Sequence, residues 1–356
     1  MNNLFNIKIW WNEVDKINFI LISVLLIIGL ILSLSLNDTL FFYNKHLIFS
    51  ILGFLIMIYL SSVNVKTLRR ISLFFLIITI LTLIIILILD YEVKGSKRWL
   101  KLYGFSLQPS EFIKPFYFML SAWFIVQGIN GRNSYLIILI ISFISISGLI
   151  ILQPDFGMTL LFFLTFFCQL FIAGLSIFLI FIALIALFSL SIFSYYFFDH
   201  VQKRIDNFLN PITESYQITL SLKAFKSGGF FGKGPGQGIL KEKIPDASTD
   251  FIFAVAGEEL GFIFCSIIIL LILIIVIRFL LRSLKMNNPF KIIAIVGLTS
   301  CFGLQSLINI FSSLSIIPTK GMTLPFVSYG GSSMISSAIL FGFLLSLTKT
   351  KSIYEK

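Results

Sequence analysis

Charge is scarce in this 356-residue chain: only 12% of its residues are Asp, Glu, Lys or Arg, whereas 58% are hydrophobic and the mean hydropathy is +1.00. A soluble fold needs a charged surface and a disordered tail needs low hydrophobicity, so both classes are excluded. Histidine is nearly absent, with only His46 and His200, and the chain contains no HExxH, no phosphate-binding GxxxxGK[ST] and no GxSxG. The three cysteines, Cys168, Cys265 and Cys301, all fall inside apolar runs, where a thiol behaves as a small hydrophobe; neither a disulfide nor a metal framework is expected. The net charge is +11, yet the basic residues are dispersed between apolar runs rather than gathered on one polar face, so no nucleic-acid partner is expected.

What is present is a succession of apolar runs about 20 residues long, each sufficient as a helix to cross a hydrocarbon core about 30 Å thick. Bounded by charge, Pro, Gly or Asn, they predict ten spans near 17–36, 46–63, 71–89, 112–128, 135–152, 156–173, 175–197, 255–277, 292–312 and 332–348. Trp10 and Trp11 form an interfacial lead-in to an uncleaved first span. The expected fold is therefore all-α, a polytopic transmembrane bundle forming one membrane domain over residues 1–356. Its single long loop, 198–254, lies on the extracytoplasmic side. With an even span count both termini share one side, and that side carries Lys66, Arg69, Arg70, Arg278, Arg282 and Lys285 among other cations, against only Glu13, Asp15 and Glu355. This imbalance predicts cytoplasmic termini in a multi-pass membrane protein.

The opposite side concentrates the polar chemistry. Lys94, Lys97, Arg98 and Lys101 precede the fourth span and Lys114 lies just inside it. They form an anion site or, alternatively, are partly neutralised by Asp90, Glu92 and Glu111; Arg98 and Lys97 also suit lipid headgroups. Glu111 and Lys114 share a helix face and suit an ion pair, and Pro109-Ser110 and Asp155 suit helix starts. Within the long loop, Tyr216 to Phe225 reads as an amphipathic interfacial helix. The six-glycine stretch Ser227 to Gly238 either aims backbone N–H groups at an oxyanion or is a flexible connection.

Four blocks on that side coincide. They are Lys94-Gly-Ser-Lys-Arg-Trp99 leading to Gln108-Pro-Ser-Glu-Phe-Ile-Lys114; Gln153-Pro-Asp-Phe-Gly157; the segment from Pro245-Asp-Ala-Ser-Thr-Asp250 to Gly-Glu-Glu-Leu-Gly261; and Pro318-Thr-Lys320 to Ser328-Tyr-Gly-Gly-Ser-Ser333. Together, and over nearly the whole chain, they resemble the SEDS family of bacterial shape, elongation, division and sporulation proteins. The tryptophan pair, Val93-Lys94-Gly95 and Ala254-Val-Ala-Gly-Glu258 are more similar to its division branch than to its elongation branch.

The resemblance implies a peptidoglycan glycosyltransferase that polymerises lipid II at the outer face of the membrane by an inverting transfer, with undecaprenyl pyrophosphate leaving. It implies a class B penicillin-binding transpeptidase and other divisome proteins as partners, with the eighth and ninth spans as candidate contacts, and a septal location. An elongation polymerase, a lipid II flippase and a divisome scaffold are the rival readings. Asp250 matches the family's catalytic carboxylate, with an N-cap role as the alternative; Ser248 stands where the family usually has His. Arg98, Lys97, Lys114 and Lys320 are the candidate pyrophosphate cations. Glu258 and Glu259 either bind substrate or pair with Lys114 or Lys320, and Ser328, Gly330 and Gly331 are motif positions on the substrate side. No cofactor is required by the motifs, although Mg2+ bridging Asp250 or Asp155 to pyrophosphate is compatible with the charges.

Overall fold

A computed structural model describes residues 7–36, 39–89, 98–102, 105–174, 216–318 and 321–349, with scattered positions between 178 and 206. The elements in chain order are α1 (Ile7–Glu13), α2 (Lys16–Ser35), α3 (Thr39–Ser62), α4 (Val65–Leu89), β1 (Leu100–Leu102), β2 (Phe105–Leu107), α5 (Pro109–Ile129), α6 (Asn133–Leu152), α7 (Phe156–Ile172), α8 (Tyr216–Gly228), α9 (Ile252–Ser283), α10 (Pro289–Ser313) and α11 (Gly331–Leu347). Seven of these are long and apolar enough to cross a membrane. The 17-residue α7 and α11 are apolar and at the short end of the spanning range. Nine of the ten expected spans are thus seen among the described residues, and the span near 175–197 lies outside them.

Most helices begin several residues before the apolar runs that predicted them. Val65 starts α4 ahead of Lys66, Arg69 and Arg70, and Pro289 starts α10 ahead of Lys291. Hydropathy marks only the hydrocarbon-crossing portion, whereas backbone hydrogen bonding continues into the interface, where long cationic side chains reach water. Several starts carry their own caps: Asp15 accepts from Asn18 N, Asp155 from Met158 N, and Asn288 from Phe290 N and Lys291 N. A short antiparallel hairpin, β1 paired with β2, was not expected from the sequence. It leads into α5, whose first residue is Pro109.

The bundle is inverted in polarity relative to a soluble protein. Leu73, Phe74 and Ile77 on α4, Ile137 and Ile141 on α6, and Ile267, Leu270 and Leu273 on α9 face outward, while Ser121, Gln169, Gln305 and Asn309 are buried. Lipid solvates apolar faces as well as any core does, so polar groups turn inward where they find partners. Ser121 Oγ donates to Gln169 Oε1 at 2.6 Å, and Gln169 Nε2 donates to Phe118 O at 2.8 Å, tying α5 to α7. α11 packs along α3 and α5, and α10 along α5, α7 and α9. On α2, Gly29 allows the 326–327 backbone to approach: a β-carbon there would lie 2.3 Å from Phe326 O.

At one end of the bundle several helix ends are tied together. Trp10 Nε1 donates to Ser61 Oγ at 2.7 Å; Arg282 Nη1 donates to Thr348 O at 3.0 Å; Lys349 Nζ donates to Ser62 O at 3.1 Å. Trp10 is buried, so the lead-in is packed against α3 rather than only resting at an interface. The start of α2 and the ends of α3, α9 and α11 therefore lie together, and the polar blocks lie at the far end.

Candidate active site

Asp250 sits in a chain of turns just before α9. The carbonyl of Asp246 accepts from the backbone N–H groups of Thr249, Asp250 and Phe251 at 3.1, 3.0 and 3.3 Å. Asp246 itself has φ +57, a left-handed conformation that Asp tolerates better than most residues. The α9 cap is Phe251, with no side-chain cap bond, so Asp250 does not serve as the N-cap. It is half-buried, and its Oδ2 lies 3.2 Å from where a β-carbon on Gly321 would stand.

Two other elements hold this turn. Asn309 Nδ2, on α10, donates to Asp250 O at 2.9 Å and to Met322 O at 2.5 Å. From the segment before α11, Ser328 Oγ donates to Thr249 O at 2.5 Å and accepts from Leu324 N at 2.8 Å, while Tyr329 N donates to Ser248 O at 2.9 Å. Phe326, between them, is buried with φ +65, an unfavourable conformation for a bulky residue that packing must maintain. Ser328 is therefore engaged with backbone on both sides. Gly330 is the α11 N-cap position, and Gly331 admits the Phe49 ring, which would lie 2.7 Å from a β-carbon there. Sequence reasoning missed Asn309, since a lone Asn within an apolar span has no motif to mark it.

Beside the turn is a cavity of about 310 Å³ whose wall includes Ser33, Tyr43, Lys241, Glu242, Asp246, Ser248, Thr249 and Tyr329. Ser248 accordingly lines the cavity. Lys241 and Glu242 were not singled out by the sequence, although both lie in the loop that carries the Asp250 block.

The remaining candidates are distributed around this centre. Lys114 is buried and its Nζ contacts Glu111 Oε2 and Gln305 Oε1, each at 2.6 Å. Gln305 Nε2 donates to Thr323 O at 3.1 Å, and Thr323 Oγ1 lies 2.6 Å from Ser333 Oγ. Lys114 thus belongs to a polar network that reaches the same 321–328 segment from beneath. Arg98 binds a different place: its Nε donates to Gln153 O at 3.3 Å, Nη2 donates to Pro154 O, and Nη1 pairs with Asp155 Oδ2 at 3.4 Å. The guanidinium fastens the hairpin segment to the α6–α7 corner. Lys97 and Lys320 lie outside the described residues.

Glu258 and Glu259 are both fully buried, and their partners differ from those expected. Glu258 pairs with Lys233 at 3.0 Å and Glu259 with Lys241 at 2.7 Å, rather than with Lys114, while Lys320 lies outside the described residues. The helix α9 runs through both glutamates and is kinked just beyond them at Gly261, which has φ +77. The glycine-rich loop folds against that kink: Lys233 N donates to Glu258 O at 3.0 Å, Gly234 N to Glu259 O at 2.9 Å, and Phe262 N to Gly229 O at 2.9 Å. Among the described residues no group of three or more His, Cys, Asp or Glu side chains is placed to hold a metal ion.

Known proteins resemble this chain in sequence and in fold. Residues 15–353 match the family described as cell cycle protein, which groups FtsW, RodA and SpoVE. The chain is 36% identical, over 96% of its length and 91% of the relative's, to the probable peptidoglycan glycosyltransferase FtsW of Caulobacter vibrioides. It is 34% identical, over 90% of each chain, to the protein of the same description from Wigglesworthia glossinidia brevipalpis. Among solved structures, a chain from a peptidoglycan synthase complex that coordinates polymerization and crosslinking superposes with a TM-score of 0.79, covering 97% of this chain and 100% of that one. The rod shape determining protein RodA of Thermus thermophilus superposes at 0.73, with 97% and 99% coverage. Both are 22% identical in sequence and speak for the fold. A match over nearly the full length, the shared helical bundle and the four polar blocks gathered at one end lead to one conclusion: this membrane protein belongs to the FtsW/RodA/SpoVE family of cell cycle proteins.

Proposed function

We propose that the chain is a peptidoglycan glycosyltransferase that polymerises lipid II at the outer face of the bacterial cytoplasmic membrane during septal wall synthesis. The observation that carries this reading is Asp250, a half-buried carboxylate on a turn held by Asn309, Ser328 and Tyr329, beside a polar-walled cavity at the end of the bundle opposite Trp10 and Lys349. The relatives' names supply the reaction class. In the proposed step the 4-hydroxyl oxygen of one lipid-linked sugar attacks the anomeric carbon of another. The new C–O bond forms as the bond to pyrophosphate breaks, undecaprenyl pyrophosphate leaves with the electron pair, and the hydroxyl proton passes to Asp250. A positioned general base is worth about 10²–10⁴-fold in rate.

Charge on the leaving group needs compensation. Lys97 and Lys320 are proposed for it from sequence alone; Lys241 lines the cavity, but its ammonium is buried against Glu259 and two backbone carbonyls and is not counted among them. Arg98, bound to the 153–155 corner, is proposed to support the site by fixing the hairpin segment. Glu258 and Glu259 hold the glycine-rich loop, and Ser328 with Gly330 and Gly331 shape the segment facing Asp250. Mg2+ is commonly held by one or two carboxylates together with substrate phosphates; Asp250 is the carboxylate proposed for such an ion, whose role would be to screen the leaving charge. A class B penicillin-binding transpeptidase, with other divisome proteins, is the proposed partner, and both termini are proposed to be cytoplasmic.

The test is strand synthesis from labelled lipid II by the chain co-purified with such a partner. Asp250→Asn is expected to lower synthesis by about 10²-fold or more with unchanged thermal unfolding. Equal synthesis by both proteins removes Asp250 from the base role, and lipid II translocation without polymer would favour the flippase reading.

A further inference from the structure

The cavity wall contains an anion cradle that the chain fills with its own side chain. Glu258 Oε1 accepts from Lys233 Nζ at 3.0 Å, Ile239 N at 3.0 Å and Leu240 N at 3.1 Å; its Oε2 accepts from Leu240 N and Lys241 N, both at 3.1 Å. Successive backbone N–H groups converging on one point make a concave site for an anion. Here they form a short 3₁₀ turn, Leu240–Glu242, wrapped on a fully buried carboxylate. The neighbouring Glu259 takes Lys241 Nζ at 2.7 Å, and the other donors of that ammonium reach Gly236 O at 3.1 Å and Ser35 O at the end of α2. All three ammonium donors are thereby satisfied.

Both Lys241 and Glu242 line the cavity, facing Ser33 and Leu36 of the α2 end. The direction of their turn is set by Glu258, and its distance from α2 by the Glu259–Lys241 pair. We infer that Glu258 is a positioning residue for this cavity, orienting through the backbone the turn that fixes Lys241 in the cavity wall and presents Glu242 to the sugar hydroxyls of the substrate; this rests on the function proposed above. The role requires a carboxylate. A carboxamide offers one acceptor oxygen for these five contacts and turns an NH₂ group toward backbone donors.

The experiment compares wild type, Glu258→Gln and Glu258→Asp in the transpeptidase complex, by hydrogen exchange without substrate and by lipid II saturation curves. For Glu258→Gln we expect exchange over 239–242 at least tenfold faster with α10 and α11 unchanged. The apparent KM should rise about fivefold or more with kcat within twofold, and Glu258→Asp should fall between. Unchanged exchange and KM overturn the inference. Raised KM with unchanged exchange also overturns it, by making Glu258 a direct contact, as does faster exchange throughout the bundle with loss of kcat, which reduces the residue to folding support. Absence of polymer from wild type would defeat the proposed function instead; the substrate-free exchange comparison then decides alone whether Glu258 holds the turn.

Discussion

Lys114 shows how a charge inside the membrane is accommodated. An isolated ammonium at this depth is costly, yet Lys114 has Glu111 one helical turn away and Gln305 across the α5–α10 contact, each at 2.6 Å. Removing one partner leaves the other buried and uncompensated. Lys114→Met should therefore destabilise the protein by about 3–5 kcal/mol, and adding Glu111→Leu should recover a large part of that loss. Thermal unfolding in detergent measures both, and full additivity of the two losses would contradict the pairing. Ser328 is a milder case with a nearer functional consequence. Ser328→Ala deletes the bonds to Thr249 O and Leu324 N, at roughly 1–3 kcal/mol in stability. Because Thr249 precedes Asp250, strand synthesis should drop about tenfold, equivalent to about 1.4 kcal/mol, at temperatures where the variant is still folded; unchanged synthesis would separate Ser328 from the site.

The glycine-rich loop between α8 and α9 behaves as a packed element rather than a tether. A β-carbon at Gly232, with φ +78, would stand 2.1 Å from Glu259 O, and one at Gly261 would stand 2.3 Å from Gly232 N. By contrast Gly236 has the same φ of +78 but nothing within 4 Å of its would-be β-carbon. The pair isolates conformation from contact. Gly236→Ala should cost only the left-handed backbone penalty of about 1–2 kcal/mol, whereas Gly232→Ala must also displace the loop from α9. Limited proteolysis between Ser227 and Lys243 reads the difference: faster cleavage is expected for Gly232→Ala alone, and equal cleavage of both would mean the loop is not packed as described. The kink at Gly261 serves the same contact, since Phe262 and Ile263 donate to the loop carbonyls of Gly229 and Phe230 instead of completing the helix.

The bundle has two chemically distinct ends. At one, Asp15 is buried beside Arg278 at 3.3 Å and Arg282 at 2.9 Å, and Arg278 Nε donates to Asn18 at 3.1 Å. Asp15→Asn should lower stability by roughly 2–3 kcal/mol, less than the about 3–5 of a fully buried pair, because both arginine side chains are a quarter or more exposed. At the other end stand Asp250, the cavity and the glycine-rich loop. Membrane-impermeant maleimide tests the proposed sidedness: in a Cys168→Ser background, Gln237→Cys should label on intact cells and Lys8→Cys only after lysis. The reverse pattern would place the candidate site on the cytoplasmic side and defeat the proposed reaction, whose substrate must be met outside.

Much of this was legible from the order of residues. Apolar run length settled the membrane class and located nine of the described spans, since hydrocarbon thickness constrains every crossing alike. Short-range spacing was equally informative: the Glu111–Lys114 pair, the Asp155 cap and the helix from Tyr216 all involve residues a turn or so apart, where helix geometry dictates who meets whom. The placement of Asp250 at a turn before α9 followed from its motif. What packing alone decided were the partners brought from far along the chain. Arg98 finds the 153–155 corner, Asn309 finds Asp250, and Glu258 and Glu259 find Lys233 and Lys241 instead of Lys114. Several cations were available to each carboxylate, and charge alone does not choose among them. The choice was made by the close approach of the glycine loop to the kinked start of α9, which puts particular N–H groups and two ammonium groups, those of Lys233 and Lys241, within hydrogen-bond reach.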